Sequence, residues 1–290
     1  MFRTLVAAAL VMGVTVTDPH VVTHLDLAAG QQPENLAVEA DGSVDATFSF
    51  ARQIAHISPG GAVHIVGTVP APPAGTDVPL IHRAFVGGIV RTDDGTLYFL
   101  YAAGTSELTG LWRLRPGGVP VRIAALPADS VPNGLALAEG QLYLSDSALA
   151  TVWRVPLCGG TLVRWRSGPE LAAPAGQFGA NGLKIRDHAV WVTNFTQGTL
   201  LRIPFGGGPI RTVATGLDTP DDFDFAGPDA LVATNPTKSL ELVHPDGRHE
   251  SVLTGLDNPS AVVVRGDTAY VADAAYFSAD PNLLTVHIGR

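Results

Sequence analysis

The sequence has a single cysteine, Cys158 in "PLCGGT", so neither a disulfide framework nor a cysteine-rich zinc site is open to it. That thiol is expected to pack beside a turn. Lysine is almost as scarce, with Lys184 and Lys238 the two copies. Charged residues make up 16% of the 290, the formal net charge is −9, and no basic stripe runs along the chain. This argues against nucleic acid as a partner. Neither G-x-S-x-G nor H-E-x-x-H occurs, which disfavours elbow-type serine hydrolases and zincins. Long apolar runs are missing beyond the N-terminus, where Arg3 precedes an apolar stretch from Leu5 to Val16 in "MFRTLVAAALVMGVTVTDPH". The stretch is too short for a typical membrane span. Two readings of residues 1–20 stand: a signal peptide of a secreted protein, or an N-terminal arm or strand of a cytoplasmic one. No clear small-x-small cleavage site decides between them. No membrane span is expected in the mature protein, residues 21–290. Asn194-Phe195-Thr196 is a glycosylation sequon.

Hydrophobic residues make up 46% of the chain, ample for a sizeable core, and they recur in a pattern. "VPNGLAL" at Val131 to Leu137 returns as "GANGLKI" at Gly179 to Ile185. Related segments open at Pro33 ("PENLAV"), Gly87 ("GGIVRT"), Pro220 ("PDDFDF") and Pro259 ("PSAVVV"). Each runs strand, polar turn, strand, loop, strand, Gly-rich turn, and most continue into a fourth apolar run such as "VHIVGTV" or "IRTVATG". Alternation in "QLYLSD", "AVWVTN" and "TLYFLY" marks the strands, with Gly, Asp and Asn punctuating the turns. Six units of roughly 40 to 50 residues with four strands each predict an all-β fold, a six-bladed β-propeller. The last unit lacks a fourth strand. "VVTHLDLA", Val21 to Ala28, is placed to supply it and close the ring.

In such a ring the residues just before each innermost strand share one face, beside the central channel. They are Glu34, Gly87, Asn133, Asn181, Asp221 and Ser260. Two carboxylates and two carboxamides at one point suit a hard divalent cation, with calcium the default because it accepts many flexible oxygen ligands. The plainer alternative is that these residues cap strands and form turns. A second set, Asp146, Asn194, Asn235 and Asp273, ends the second strands further from the axis. These are expected to bond to the backbone of the following loop.

The units opening with "PE", "NGL", "NGL" and "PDD" resemble the gluconolactonase/regucalcin (senescence-marker-protein) propeller family over nearly the whole chain. The resemblance implies Glu34, Asn181 and Asp221 as ligands of a divalent metal, with Asn133 contacting water or substrate. Asp222 stands where the family has Gly. Val131 stands where sugar-lactone members carry Arg, which removes a partner for a sugar hydroxyl and argues against a gluconolactone-like substrate. Phe48, Phe50, Tyr101, Phe195, Tyr276 and Phe277 fall in or near loops expected at the channel mouth, and Phe48, Tyr101, Phe195 and Tyr276 are expected to touch substrate. The Pro-rich connector "PAPPAGTDVPLIHR" is expected to overhang the channel, with His82 near the gap at Gly87.

The expected activity is metal-dependent hydrolysis of a lactone or related ester, a small and rather apolar molecule. Asp221 would serve as base and Asn133 would orient water or hold the oxyanion. A non-hydrolytic cyclase or condensing enzyme, or a non-catalytic binding propeller, are the alternatives on the same fold.

Overall fold

The computed structural model describes residues 13–235 and 238–289. Most of the apolar run from Leu5 to Val16 lies outside these residues. Within them the chain forms six four-stranded antiparallel sheets. Blade 1 comprises Pro33–Val38, Val44–Phe48, Gln53–Ile57 and Val63–Thr68. Blade 2 comprises Phe85–Arg91, Leu97–Ala102, Gly110–Leu114 and Val121–Ala125. Blade 3 comprises Pro132–Ala138, Gln141–Asp146, Thr151–Pro156 and Val163–Ser167. Blade 4 comprises Ala180–Arg186, Ala189–Asn194, Thr199–Pro204 and Arg211–Thr215. Blade 5 comprises Pro220–Ala226, Asp229–Thr234, Ser239–Val243 and His249–Thr254. Blade 6 comprises Pro259–Arg265, Thr268–Asp273 and Asn282–Gly289, with Thr15–His24 as its outermost strand. Strands of each blade are lettered A to D from the axis outward.

The N-terminal strand therefore closes the ring, as the missing fourth run requires, and an open sheet edge is avoided. It begins earlier than Val21, at Thr15, and pairs with the last strand from Thr15↔Gly289 to His24↔Asn282. Pro19 falls in the irregularity between Thr17 and His20, where a residue without an N–H breaks no ladder bond.

Apolar alternation within the strands builds one packed layer between each neighbouring pair of blades. Blade 6, for instance, meets blade 1 through Ala261, Ala272 and Leu283 against Leu36, Ala46 and Phe48. A seventh cluster, of Val78, Phe85, Ala102 and Val131, lies off this ring and fixes the connector between blades 1 and 2. Cys158 is exposed in the turn after strand C of blade 3, not packed.

Candidate functional site at the channel mouth

Each innermost strand is irregular at its start. The pairing shifts between Pro33 and Asn35, Val86 and Ile89, Pro132 and Leu135, Ala180 and Leu183, Pro220 and Phe223, and Pro259 and Ala261. A bulge turns its residue out of the ladder, and here it turns Glu34, Asn133, Asn181 and Asp221 toward one cavity. The repeated Asn-Gly-Leu has its physical reason at this point. The Asn faces the channel, while the Gly lets the next blade's backbone approach. A Cβ on Gly134 would lie 2.5 Å from Asn181 O, and one on Gly182 would lie 2.6 Å from Asp222 Cα. Hydroxyls on the B strands fasten the same seam. Thr47 Oγ1 donates to Gly87 O at 2.8 Å, Thr193 Oγ1 donates to Asp221 O at 2.7 Å, and Ser145 Oγ donates to Asn181 O.

Of the six axial positions, Glu34, Asn133, Asn181 and Asp221 line one cavity of about 620 Å³. Gly87 has no side chain to offer, and Ser260 Oγ turns aside to donate to Pro33 O at 2.8 Å. Glu34 accepts from the Tyr276 hydroxyl, and Asp221 accepts from Asn235 Nδ2. Among the described residues no Lys or Arg pairs with either carboxylate. Burial, and then the Asp221 charge, push the Glu34 carboxyl well above the usual range. Burial, and then Asp222, push Asp221 up to about 8. The Tyr276 phenol is pushed up as well, by burial first and Glu34 second, and so remains a proton donor.

Beside these carboxylates, Asn181 Oδ1, Asn235 Oδ1 and Thr219 Oγ1 are buried without a hydrogen-bond partner, and all three residues line the cavity. Unsatisfied buried oxygens are rare and costly. Thr219 also has φ 43°, a strained setting for a β-branched residue. A set of hard oxygen donors next to two carboxylates whose charged form burial disfavours fits a hard divalent cation. Glu34, Asn181 and Asp221 could hold one, with Asn235 and Thr219 alongside.

Asp222, which follows Asp221 directly, does not line the cavity. Lys184 Nζ lies 2.7 and 3.0 Å from its oxygens, and Asn35 Nδ2 donates to it at 3.2 Å. The extra charge is therefore neutralised below the site.

A second acidic group, Glu39, Asp45 and His56 of blade 1, has candidate ligand atoms within 4.8 Å of one another. It lies at the opposite end of the same strands. Arg91 already bonds Glu39 Oε2 at 2.8 Å and Asp45 Oδ2 at 3.2 Å, so the cluster carries its own cation.

The aromatic expectations divide. Phe50, Phe195, Tyr276 and Phe277 line the cavity. Phe48 and Tyr101 do not. Phe48 is packed between blades 6 and 1, and Tyr101 is packed between blades 1 and 2, its hydroxyl donating to Pro70 O at 2.8 Å. Both sit inside B strands with inward parity, where layer packing claims a large apolar ring. Phe85 and Phe178 complete the wall in their stead. The connector does overhang the cavity through Leu80, Ile81 and Arg83, while His82 points outward to Asp77 at 2.9 Å.

The B-strand ends also divide. Asp146 accepts from the backbone N–H of Ala148 and Leu149 in the following loop, and from Val131 before the innermost strand, whereas Asp273 accepts from Asp257 N–H, ahead of the innermost strand and not in the following loop. Asn194 Nδ2 donates to Glu170 O and Ala172 O, which removes the sequon's nitrogen from solvent. Asn235 departs from the pattern by turning to Asp221. "VTN" and "VATN" carry no signal that separates the two.

No protein-family model matches the sequence, and no curated protein does. Solved structures match along nearly the whole chain. A PQQ-bound aldose sugar dehydrogenase from Streptomyces coelicolor is 15% identical with a TM-score of 0.69, covering 96% of this chain and 98% of its own. A gluconolactonase from Xanthomonas campestris, XC5397, is 15% identical with a TM-score of 0.67, covering 96% and 97%. Virginiamycin B lyase from Staphylococcus aureus, in complex with quinupristin, is 15% identical with a TM-score of 0.64, covering 95% and 99%. The likeness shows the fold, a six-bladed propeller that a gluconolactonase shares. Dehydrogenases and lyases share it, so the chemistry has to be argued from the site.

Proposed function

We propose that the protein is a divalent-cation-dependent hydrolase of a lactone or related ester with an apolar body. The observation that carries this reading is the convergence of two carboxylates and three unpartnered oxygens on the floor of an aromatic-walled cavity. A cation held there supplies Lewis acidity toward the scissile carbonyl and lowers the pKa of water, and calcium has the donor set it prefers. Tyr276 fixes Glu34 by its hydroxyl, and Asn235 fixes one oxygen of Asp221. Asp221 is the group best placed to take a proton from water, and the Asn133 amide to hold the developing oxyanion. The connector and the Phe walls give the cavity a largely apolar lining. Val131, fully buried under the connector, leaves no guanidinium where a sugar would need one.

That same apolar lining favours a second reading, a non-hydrolytic cyclisation or condensation in the same cavity. Incubation with a panel of alkyl and aryl lactones and esters, with added calcium, magnesium or manganese, separates the two by mass. Hydrolysis adds one water to the substrate. Loss of turnover in Glu34→Gln and Asp221→Asn is expected. Turnover unchanged in either variant, or none with any metal, would count against the hydrolase.

A further inference from the structure

The cavity pairs an acidic floor with an unassigned cation at its rim. Arg83 ends the connector, and its Cζ lies 3.4 Å from the centroid of the Phe50 ring. Among the described residues it has no carboxylate or carbonyl partner, whereas Lys238, the other cation lining the cavity, is tied to Asp257 at 3.1 Å. Stacking on Phe50 holds the guanidinium plane while leaving its N–H edges free, the arrangement suited to bidentate capture of a carboxylate or sulfonate.

The position is held from below. Phe50 touches Phe85 at 6.2 Å and Tyr276 at 5.5 Å between ring centroids, and Tyr276 bonds Glu34. Arg83, Phe50, Tyr276 and Glu34 thus form one continuous line from rim to floor. It is held from the side by the connector, whose Val78 is fully buried against Phe85 and Val131. Leu80 and His82 adopt left-handed backbone (φ 66° and 60°), a strained path that presents Ile81 and Arg83 to the cavity.

We infer that Arg83 is an anion anchor, and that the cavity takes an amphipathic molecule: an apolar, ring-sized body with an anionic group at the end opposite the one resting on the floor. Two aromatic contacts separate rim from floor, which puts the anion roughly 10 Å from the acidic groups. Taken with the proposed hydrolase activity, on which this step rests, the substrate class is an apolar lactone or ester bearing a remote carboxylate or sulfonate.

The test uses a matched pair of fluorescent probes, 8-anilino-1-naphthalenesulfonate and N-phenyl-1-naphthylamine, the same skeleton with and without its sulfonate. Wild type is expected to bind the sulfonate about tenfold tighter than the neutral probe at low salt, a size usual for a charged hydrogen-bonded contact at a partly wet rim. Arg83→Gln should abolish that ratio by weakening the sulfonate alone, and Arg83→Lys should retain part of it. An equal ratio in wild type and Arg83→Gln overturns the inference. A parallel assay compares 4-nitrophenyl hexanoate with the mono-4-nitrophenyl ester of adipic acid, and keeps the two claims apart. If Arg83 governs probe binding and neither ester is cleaved, the anchor stands and the hydrolase fails. If both esters are cleaved and Arg83→Gln changes neither the probe ratio nor the ester preference, the hydrolase stands and the anchor fails.

Discussion

Replacing Lys184 by Met tests how the propeller tolerates a second buried aspartate beside Asp221. Asp222 is nearly buried, and its partners are Lys184 Nζ at 2.7 and 3.0 Å and Asn35 Nδ2 at 3.2 Å. Burial raises its pKa, and Lys184 is the largest opposing influence. Asp224, also raised by burial, is held down chiefly by the same lysine. Lys184→Met therefore strips buried Asp222 of its counter-charge and weakens that of half-buried Asp224, which keeps two backbone N–H bonds, and loss of one partner of a buried pair costs about 3–5 kcal/mol. At about 2 °C per kcal/mol for a domain of this size, melting in the presence of chelator should fall by roughly 6–10 °C. Lys184→Met/Asp222→Asn should recover much of the loss, because the amide needs no counter-charge. Asp222 adjoins Asp221, so the uncompensated charge in the single variant should also enlarge the melting gain produced by added calcium. A loss below about 1 kcal/mol, or no recovery in the double variant, refutes the argument that this ion pair accommodates Asp222.

Other predictions concern the frame around the site. Thr193→Val keeps the shape of the side chain but leaves Asp221 O without its hydroxyl donor, and denaturant unfolding should show a loss of about 1–2 kcal/mol. A loss confined to noise would mean that the inter-blade hydroxyls do not fasten the seam. Asp273 is pushed up to about 6, mainly by burial. Below about pH 3.8 it is protonated in both states and carries no penalty. Between there and about 6 the folded protein binds more protons than the unfolded chain, so its contribution to stability falls as pH rises. Asp273→Asn should therefore gain on wild type from pH 4 to pH 7 by up to about 3 kcal/mol, read from unfolding curves at each pH. A difference that does not vary with pH would contradict the assignment.

Much of the ring was legible in the sequence because the repeat fixes strand order, and chain direction then decides which residues meet at the axis. Glu34, Asn133, Asn181 and Asp221 share the cavity for that reason. Alternation says that Phe48 and Tyr101 point to one side of a strand, but not whether that side faces a neighbouring blade or the mouth. Both proved to be layer residues. Asn235 was hidden because its role depends on how Asp221 sits, a contact between strands that no local pattern encodes. Arg83 was missed beside His82 because a one-residue step in a left-handed stretch of connector decides which of them faces inward.

If the axial oxygens hold a divalent cation as proposed, the purified protein carries it, and metal content is the measurement to make. Purified protein would be dialysed against calcium and then metal-free buffer, and bound metal per chain measured for wild type, Glu34→Gln and Asp221→Asn. Near-stoichiometric calcium is expected in wild type, with its loss on chelation and a fall in melting temperature, and little metal in either variant. Wild type without metal, with melting indifferent to added calcium, would contradict the proposed site, as would equal metal in all three proteins.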